Sequence, residues 1–178
     1  MAISTTPVSA AAIQAGVSAR QALLESFRRE SATTRKILRA YPAEHADLRP
    51  HPSSNTAQQI AWTFAIENAL MEAALRNEFR MPPSFPPMPE RWDDCVRDYE
   101  EGVERVTALL ESVPDEAMAE TVPFMTGPRQ LEDVSKFSLC TLMLSDSIHH
   151  RGQLSVYLRM SGAKVPSIYG PSRDEPWT

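Results

Sequence analysis

The chain has 178 residues with 23 acidic and 18 basic side chains, a formal net charge of −5, and 42% hydrophobic residues. This composition supports one folded domain with an ordinary core and excludes wholesale disorder. The acidic balance, with no basic block, excludes nucleic acid as the main partner. No stretch reaches the roughly 18 apolar residues of a membrane span, and the start lacks a signal peptide, so no membrane partner and a cytoplasmic location are expected.

Four segments of the chain have the hydrophobic period of amphipathic helices. After a loose arm over residues 1–15, the first helix is expected over residues 18–40. The second helix follows Thr56 and Gln59, which have the spacing of a capping box, and it stops before Pro82. Only two cysteines occur in the whole chain, so reduced thiols are expected rather than a disulfide framework.

Five prolines within residues 81–89 predict an extended crossover, because proline interrupts the backbone hydrogen bonds of a helix. The third helix is expected over 90–112 and the fourth over 131–162, closed by a cap at Gly162. Residues 117–130 between them are expected to be irregular or a short hairpin. Four helices of this length predict an all-α four-helix bundle.

The expected fourth helix carries polar side chains on its apolar face. Leu139, Leu142 and Met143 define that face. Steps of three or four residues continue it to Asp146, His150, Gln153 and Tyr157. A buried ionised carboxylate needs a compensating partner because its removal from water is costly.

The second helix places two polar residues on its own apolar face, Thr63 and Glu67, four residues apart. If the two faces meet, these side chains line one pocket with those of the fourth helix, where bundles build metal and ligand sites. The alternative is structural: Asp146 pairs with His150, Glu67 pairs with an arginine, and Thr63 bonds the carbonyl of Gln59.

Two strings near the end of the chain are distinctive: Ser-Ile-His-His-Arg-Gly-Gln-Leu-Ser-Val-Tyr-Leu-Arg at 147–159 and Val-Pro-Ser-Ile-Tyr-Gly-Pro-Ser at 165–172. Matching positions upstream are Glu30, Thr34, residues 49–52, Ser54 and residues 60–62. With these residues the chain resembles the DinB-like family, within the superfamily of bacillithiol S-transferase-like bundles, over most of residues 20–175.

The resemblance implies an up-down-down-up four-helix bundle whose long crossover joins helices 2 and 3. Residues 16–178 then form one domain, with a C-terminal tail that docks on the bundle or, alternatively, covers a pocket. It also implies a homodimer and one divalent metal, Zn²⁺, Ni²⁺ or Mn²⁺, that activates a low-molecular-weight thiol as cosubstrate.

The three metal-binding histidines of the family map to Thr63, Asp146 and His150, of which one is histidine. Glu67, one turn beyond Thr63, can replace it as the third ligand, and Gln153 and Tyr157 complete the pocket. The leading prediction is a degenerate site in a metal-free protein that binds a small molecule or a partner. The alternatives are a metal-dependent thiol S-transferase or isomerase and a purely structural dimer, and no catalytic residue is assigned.

Overall fold

The computed structural model describes residues 17–177, and four long helices account for most of them. The helices are α1 (Ala19–Ala40), α2 (Ala57–Leu75), α3 (Trp92–Ser112) and α4 (Lys136–Met160). An antiparallel pair of strands, β1 (Thr121–Gly127) and β2 (Gln130–Ser135), precedes α4. Short 3-10 turns occupy Ala43–His45 and Asp115–Ala119. The expected loose arm at 1–15 lies outside the described residues.

Capping residues set the helix ends. The Ser18 hydroxyl accepts the Gln21 N–H and the Thr56 hydroxyl accepts the Gln59 N–H, each within a complete capping box. The C-terminal end of α4 is followed by Gly162 at φ 80°, the left-handed conformation that glycine adopts without strain. These helix boundaries confirm the sequence prediction.

The chain is mostly helical rather than all-α: the short hairpin considered for residues 117–130 forms before the last helix, but it extends to Ser135. Residues 131–135 belong to β2, so α4 begins at Lys136. Val122 pairs with Val134 in the antiparallel ladder, and the Ser135 hydroxyl then accepts the Ser138 N–H to start α4. The apolar residues of this segment fit a short strand as well as a helix, so their spacing alone did not distinguish the two.

The helices share one core, in which α2 packs against α3 and α4, and α1 packs against the same two helices. Residues 76–91 connect α2 to α3 without helix or strand. Three contacts run in opposite chain order along α2 and α4: Asn55 with Tyr157, Glu67 with His150, and Asn77 with Lys136. The two helices are therefore antiparallel neighbours. Every described helix is too short or too polar for a bilayer crossing.

The buried face of α4 differs from the predicted one. Leu142 is 49% exposed, whereas Arg151 is only 1% exposed and enters the core. Relative to the predicted orientation of α4, the observed one places Asp146 at the edge of the buried face and leaves Gln153 exposed. The sequence pattern misassigned the face because a long charged side chain occupies an interior position that apolar residues normally fill.

Arg151 is buried with hydrogen-bond partners for both terminal nitrogens of its guanidinium. Its guanidinium donates to the Glu30 carboxylate at 2.8 Å and to the Glu30 carbonyl at 3.0 Å. The Tyr169 hydroxyl donates to the same carboxylate at 2.6 Å, and the Arg151 guanidinium also donates to that hydroxyl. Tyr169 lies in the C-terminal tail, so this network ties the tail to α1 and α4.

Candidate metal centre

Glu67 on α2 forms a polar cluster with Asp146 and His150 on α4. Glu67 is its most buried member, with 2% of the residue exposed. Its Oε1 lies 3.0 Å from Nδ1 of His150, and its Oε2 accepts the hydroxyl of Ser147. Both partners come from α4. The packing of α2 on α4 therefore sets the position of this carboxylate.

Asp146 and His150 lie one turn apart on α4 and project in the same direction. Oδ1 of Asp146 is 3.7 Å from Nδ1 of His150. The Asp146 side chain is 44% exposed, so one side of the cluster is open to solvent. The ring of His150 contacts Phe64 edge-on at 6.4 Å between centroids, which fixes its orientation from the core side.

Glu67, Asp146 and His150 each offer one ligand atom, and these atoms lie within 4.8 Å of one another. Two carboxylates and one imidazole are donor types that Zn²⁺ and Mn²⁺ bind in proteins. The donor set therefore fits a divalent metal, with two protein helices supplying it and one side open.

The charges of the cluster are strongly coupled. Burial raises the pKa of Glu67 and the charge of Asp146 adds to this rise, against the hydrogen bonds from His150 and Ser147. The hydrogen bond to Glu67 raises the pKa of His150, although burial opposes it. The two rises have different causes: burial favours the protonated carboxyl of Glu67, whereas the neighbouring carboxylate favours a positive charge on His150.

Thr63 lies one turn before Glu67 and is not part of the cluster. Its hydroxyl donates to the Gln59 carbonyl at 2.9 Å, the bond that the structural alternative predicts. Of the two residues considered for the third position, the structure brings Glu67 to His150. The arginine expected to pair with Glu67 is replaced in that role by His150.

Gln153 and Tyr157 lie farther along α4 and contact other groups. The Gln153 amide nitrogen is 2.8 Å from Nε2 of His149, an exposed residue whose ring centre is 5.3 Å from that of His150. The Tyr157 hydroxyl donates to the Asn55 carbonyl at 3.0 Å. These two predicted pocket residues line an open depression together with residues of the loop before α2.

Ser147 is the functional residue that sequence reasoning missed. Its hydroxyl donates a hydrogen bond to the second carboxylate oxygen of Glu67. An apolar residue at this position would leave that buried oxygen without a partner. Its spacing of three residues from His150 was the available signal, because residues three apart share a helix face.

The two cysteines lie in the core and not at the cluster. Burial raises the pKa of Cys95 to about 11, with the charge of Asp98 adding to it, and burial raises the pKa of Cys140 to about 12. A buried thiol with a raised pKa is a poor nucleophile and metal ligand at neutral pH. Neither cysteine is therefore placed to bind a metal or to react at the cluster.

Comparison with known proteins gives consistent matches. A family model described as the DinB family matches residues 14–177. The uncharacterized protein YrdA of Bacillus subtilis is 26% identical over 153 residues, which cover 85% of this chain and 89% of that protein.

Two solved structures are similar in fold. A DinB-like protein from Bacillus cereus superposes with a TM-score of 0.67 at 18% identity, over 83% of this chain and 95% of that chain. A DinB-like protein from Bacillus subtilis, YjoA, superposes with a TM-score of 0.65 at 18% identity, over 82% and 96% of the two chains. At this identity the similarity shows the fold alone.

Proposed function

Because the chain belongs to the DinB family, we propose that it binds one divalent cation through Glu67, Asp146 and His150. The convergence of three ligand atoms within 4.8 Å, from two helices, carries the proposal. Two carboxylates this close repel each other, and the more buried one is desolvated. A bound cation relieves both costs.

Zn²⁺ and Mn²⁺ fit this donor set best, since imidazole disfavours Mg²⁺ and carboxylates suit both metals. Such a cation supplies Lewis acidity that lowers the pKa of a bound water or low-molecular-weight thiol. The partly exposed Asp146 side chain leaves room for this ligand at the surface. Ser147 holds the Glu67 carboxylate in place.

Equilibrium dialysis with Zn²⁺ or Mn²⁺, followed by measurement of metal per chain, tests the proposal. The native protein is expected to retain about one ion per chain, and His150→Ala and Glu67→Gln are expected to lose it. Thr63→Val is the matched control, because the Thr63 hydroxyl bonds the helix backbone instead of the cluster. Retention by His150→Ala, or loss in Thr63→Val, contradicts the ligand assignment.

A metal-free binding protein is the second candidate, supported by the hydrogen bonds of Glu67. His150 and Ser147 already occupy both carboxylate oxygens, so the cluster is satisfied without an ion. In that case saturating Zn²⁺ leaves the melting temperature unchanged, because a ligand stabilises a fold only by binding it. The homodimer and the thiol cosubstrate stay predictions for both candidates.

We also propose that the helices follow an up-down-down-up course. Three contacts follow the same order along α2 and α3 and support a parallel arrangement of these helices: Gln58 with Pro89, Asn68 with Tyr99, and Glu72 with Arg105. Two contacts follow opposite orders along α1 and α3 and support an antiparallel arrangement of these helices: Arg20 with Leu110 and Arg39 with Glu100. The proline-rich crossover provides the length that two successive parallel helices need.

A further inference from the structure

An open depression of about 440 Å³ lies between α4 and the loop that precedes α2. Ser53, Ser54 and Asn55 line it from the loop, and Gln153, Val156 and Tyr157 line it from α4. Its volume is within the range of small-molecule sites, which run from roughly 300 to 1,000 Å³.

The depression lies along the interface between α2 and α4, here called the seam, which also contains Glu67, Asp146 and His150. Gln153 follows His150 by three residues and Tyr157 follows it by seven, so these two lining residues lie about 4.5 and 10 Å from His150 along the helix axis. Residues at these spacings share one helix face. On the opposite side of the seam, Asn55 stands just before α2, whose later turns carry Thr63 and Glu67.

The lining of the depression is uncharged but rich in hydrogen-bonding groups. The hydroxyls of Ser53 and Ser54 and the side-chain amide of Asn55 make no hydrogen bond to another residue within 17–177. The Gln153 amide nitrogen contacts His149, and its amide oxygen remains available. Val156, 56% exposed, adds an apolar contact surface. Such a lining complements hydroxyl or amide groups and offers no partner for a full charge.

We propose that this depression binds the uncharged, hydroxyl- or amide-bearing arm of a ligand whose head group coordinates the cation held by Glu67, Asp146 and His150. This inference rests on the proposed metal site. It assigns Asn55 and Gln153 as specificity-determining residues that bind the arm and do not bind the metal. The ligand class is a metal-coordinating small molecule with a neutral polar arm that follows the seam between α2 and α4.

Three hydroxamates that share one metal-binding head test the proposal with the zinc-loaded full chain. Acetohydroxamate has the head alone, gluconohydroxamate adds a neutral polyol arm, and succinic acid monohydroxamate adds an arm that ends in a carboxylate. Calorimetric titration is expected to give gluconohydroxamate an advantage of about tenfold over acetohydroxamate, the effect of one or two good hydrogen bonds. Zinc content is measured after each titration.

Gln153→Leu is expected to reduce the gluconohydroxamate advantage to threefold or less and leave acetohydroxamate affinity unchanged. Gln130→Leu, at an exposed position of the hairpin, is the matched control and should keep the full advantage. Equal affinity for the first two compounds, or tightest binding of the carboxylate compound, overturns the inference while the metal site stands. Failure to retain zinc, with no hydroxamate bound, overturns the proposed function and this inference with it.

Discussion

Nδ1 of His150 lies 3.0 Å from Oε1 of Glu67, and this contact joins the last helix to the second at the polar cluster. Ser147 bonds the other oxygen of the same carboxylate. The contribution of α2 to the site is therefore Glu67, one turn beyond Thr63. The polar groups of the seam are arranged around this buried acid.

Removal of Arg151 should destabilise the fold strongly, because it leaves the Glu30 carboxylate buried without its cation. Breaking a buried pair in this way costs about 3–5 kcal/mol. We expect Arg151→Leu to lose stability in that range in urea unfolding, and Arg151→Leu/Glu30→Leu to lose less. A single variant as stable as the native protein would show that the network contributes no stability.

Stability should fall in acid through Glu30. Burial raises the pKa of this carboxyl, but hydrogen bonds from Tyr169 and Arg151, with the charge of Arg151, outweigh burial and hold the pKa below its ordinary 4.5. The unfolded chain therefore takes up this proton first, so the stabilisation is present above pH 4.5 and is lost as the pH falls through the folded pKa.

The test of this acid dependence is urea unfolding at a series of pH values from neutral to acid. Glu30→Gln cannot titrate at this position, so its stability should fall less steeply below pH 4.5 than that of the native chain. Parallel curves for the two proteins would remove Glu30 as the source. Because the comparison uses the slope, the lower starting stability of the variant does not affect it.

Two helical glycines should respond in opposite ways to alanine. A Cβ at Gly102 would lie 3.0 Å from Cβ of Asn68, a buried residue held by its bond to the Tyr99 carbonyl, whereas a Cβ at Gly152 meets nothing within 4 Å. We expect Gly102→Ala to destabilise by about 1 kcal/mol through overpacking. Gly152→Ala should stabilise by about 0.5–1 kcal/mol through helix propensity. Equal shifts in thermal unfolding would contradict close packing of α2 on α3.

The two cysteines should resist alkylation in the folded protein. Burial raises the pKa of Cys95 to about 11 and that of Cys140 to about 12, so few thiolates form at neutral pH. Mass spectrometry after iodoacetamide treatment should show little labelling in buffer and two labels in urea. Rapid labelling of the native chain would reopen a role for an internal thiol at the site.

Local signals in the sequence predicted much of the helical framework. Ser18 and Thr56 sit at helix starts because a side-chain oxygen there satisfies free backbone N–H groups, and Gly162 follows the last helix for a comparable local reason. These interactions involve residues a few positions apart. They can therefore be read from a single chain.

Which face of α4 is buried, and which residue of α2 faces His150, depend on contacts between residues far apart in the sequence. Arg151 faces the core because it pairs with Glu30, which lies 121 positions earlier in the chain. With Arg151 on the buried face, Leu142 lies on the exposed side of α4. Whether Thr63 or Glu67 faces His150 depends on how far α2 slides along α4. A helical period fixes which residues share a face but not this axial offset, so the sequence alone does not choose between the two residues.

Anomalous diffraction from crystals grown with Mn²⁺ or Zn²⁺ would locate the proposed cation directly. One strong peak per chain is expected, about 2.0–2.3 Å from an oxygen of Glu67, an oxygen of Asp146 and a nitrogen of His150. A peak at His149 or at Thr63 instead, or no peak while the hydrogen bond between Glu67 and His150 persists, would contradict it.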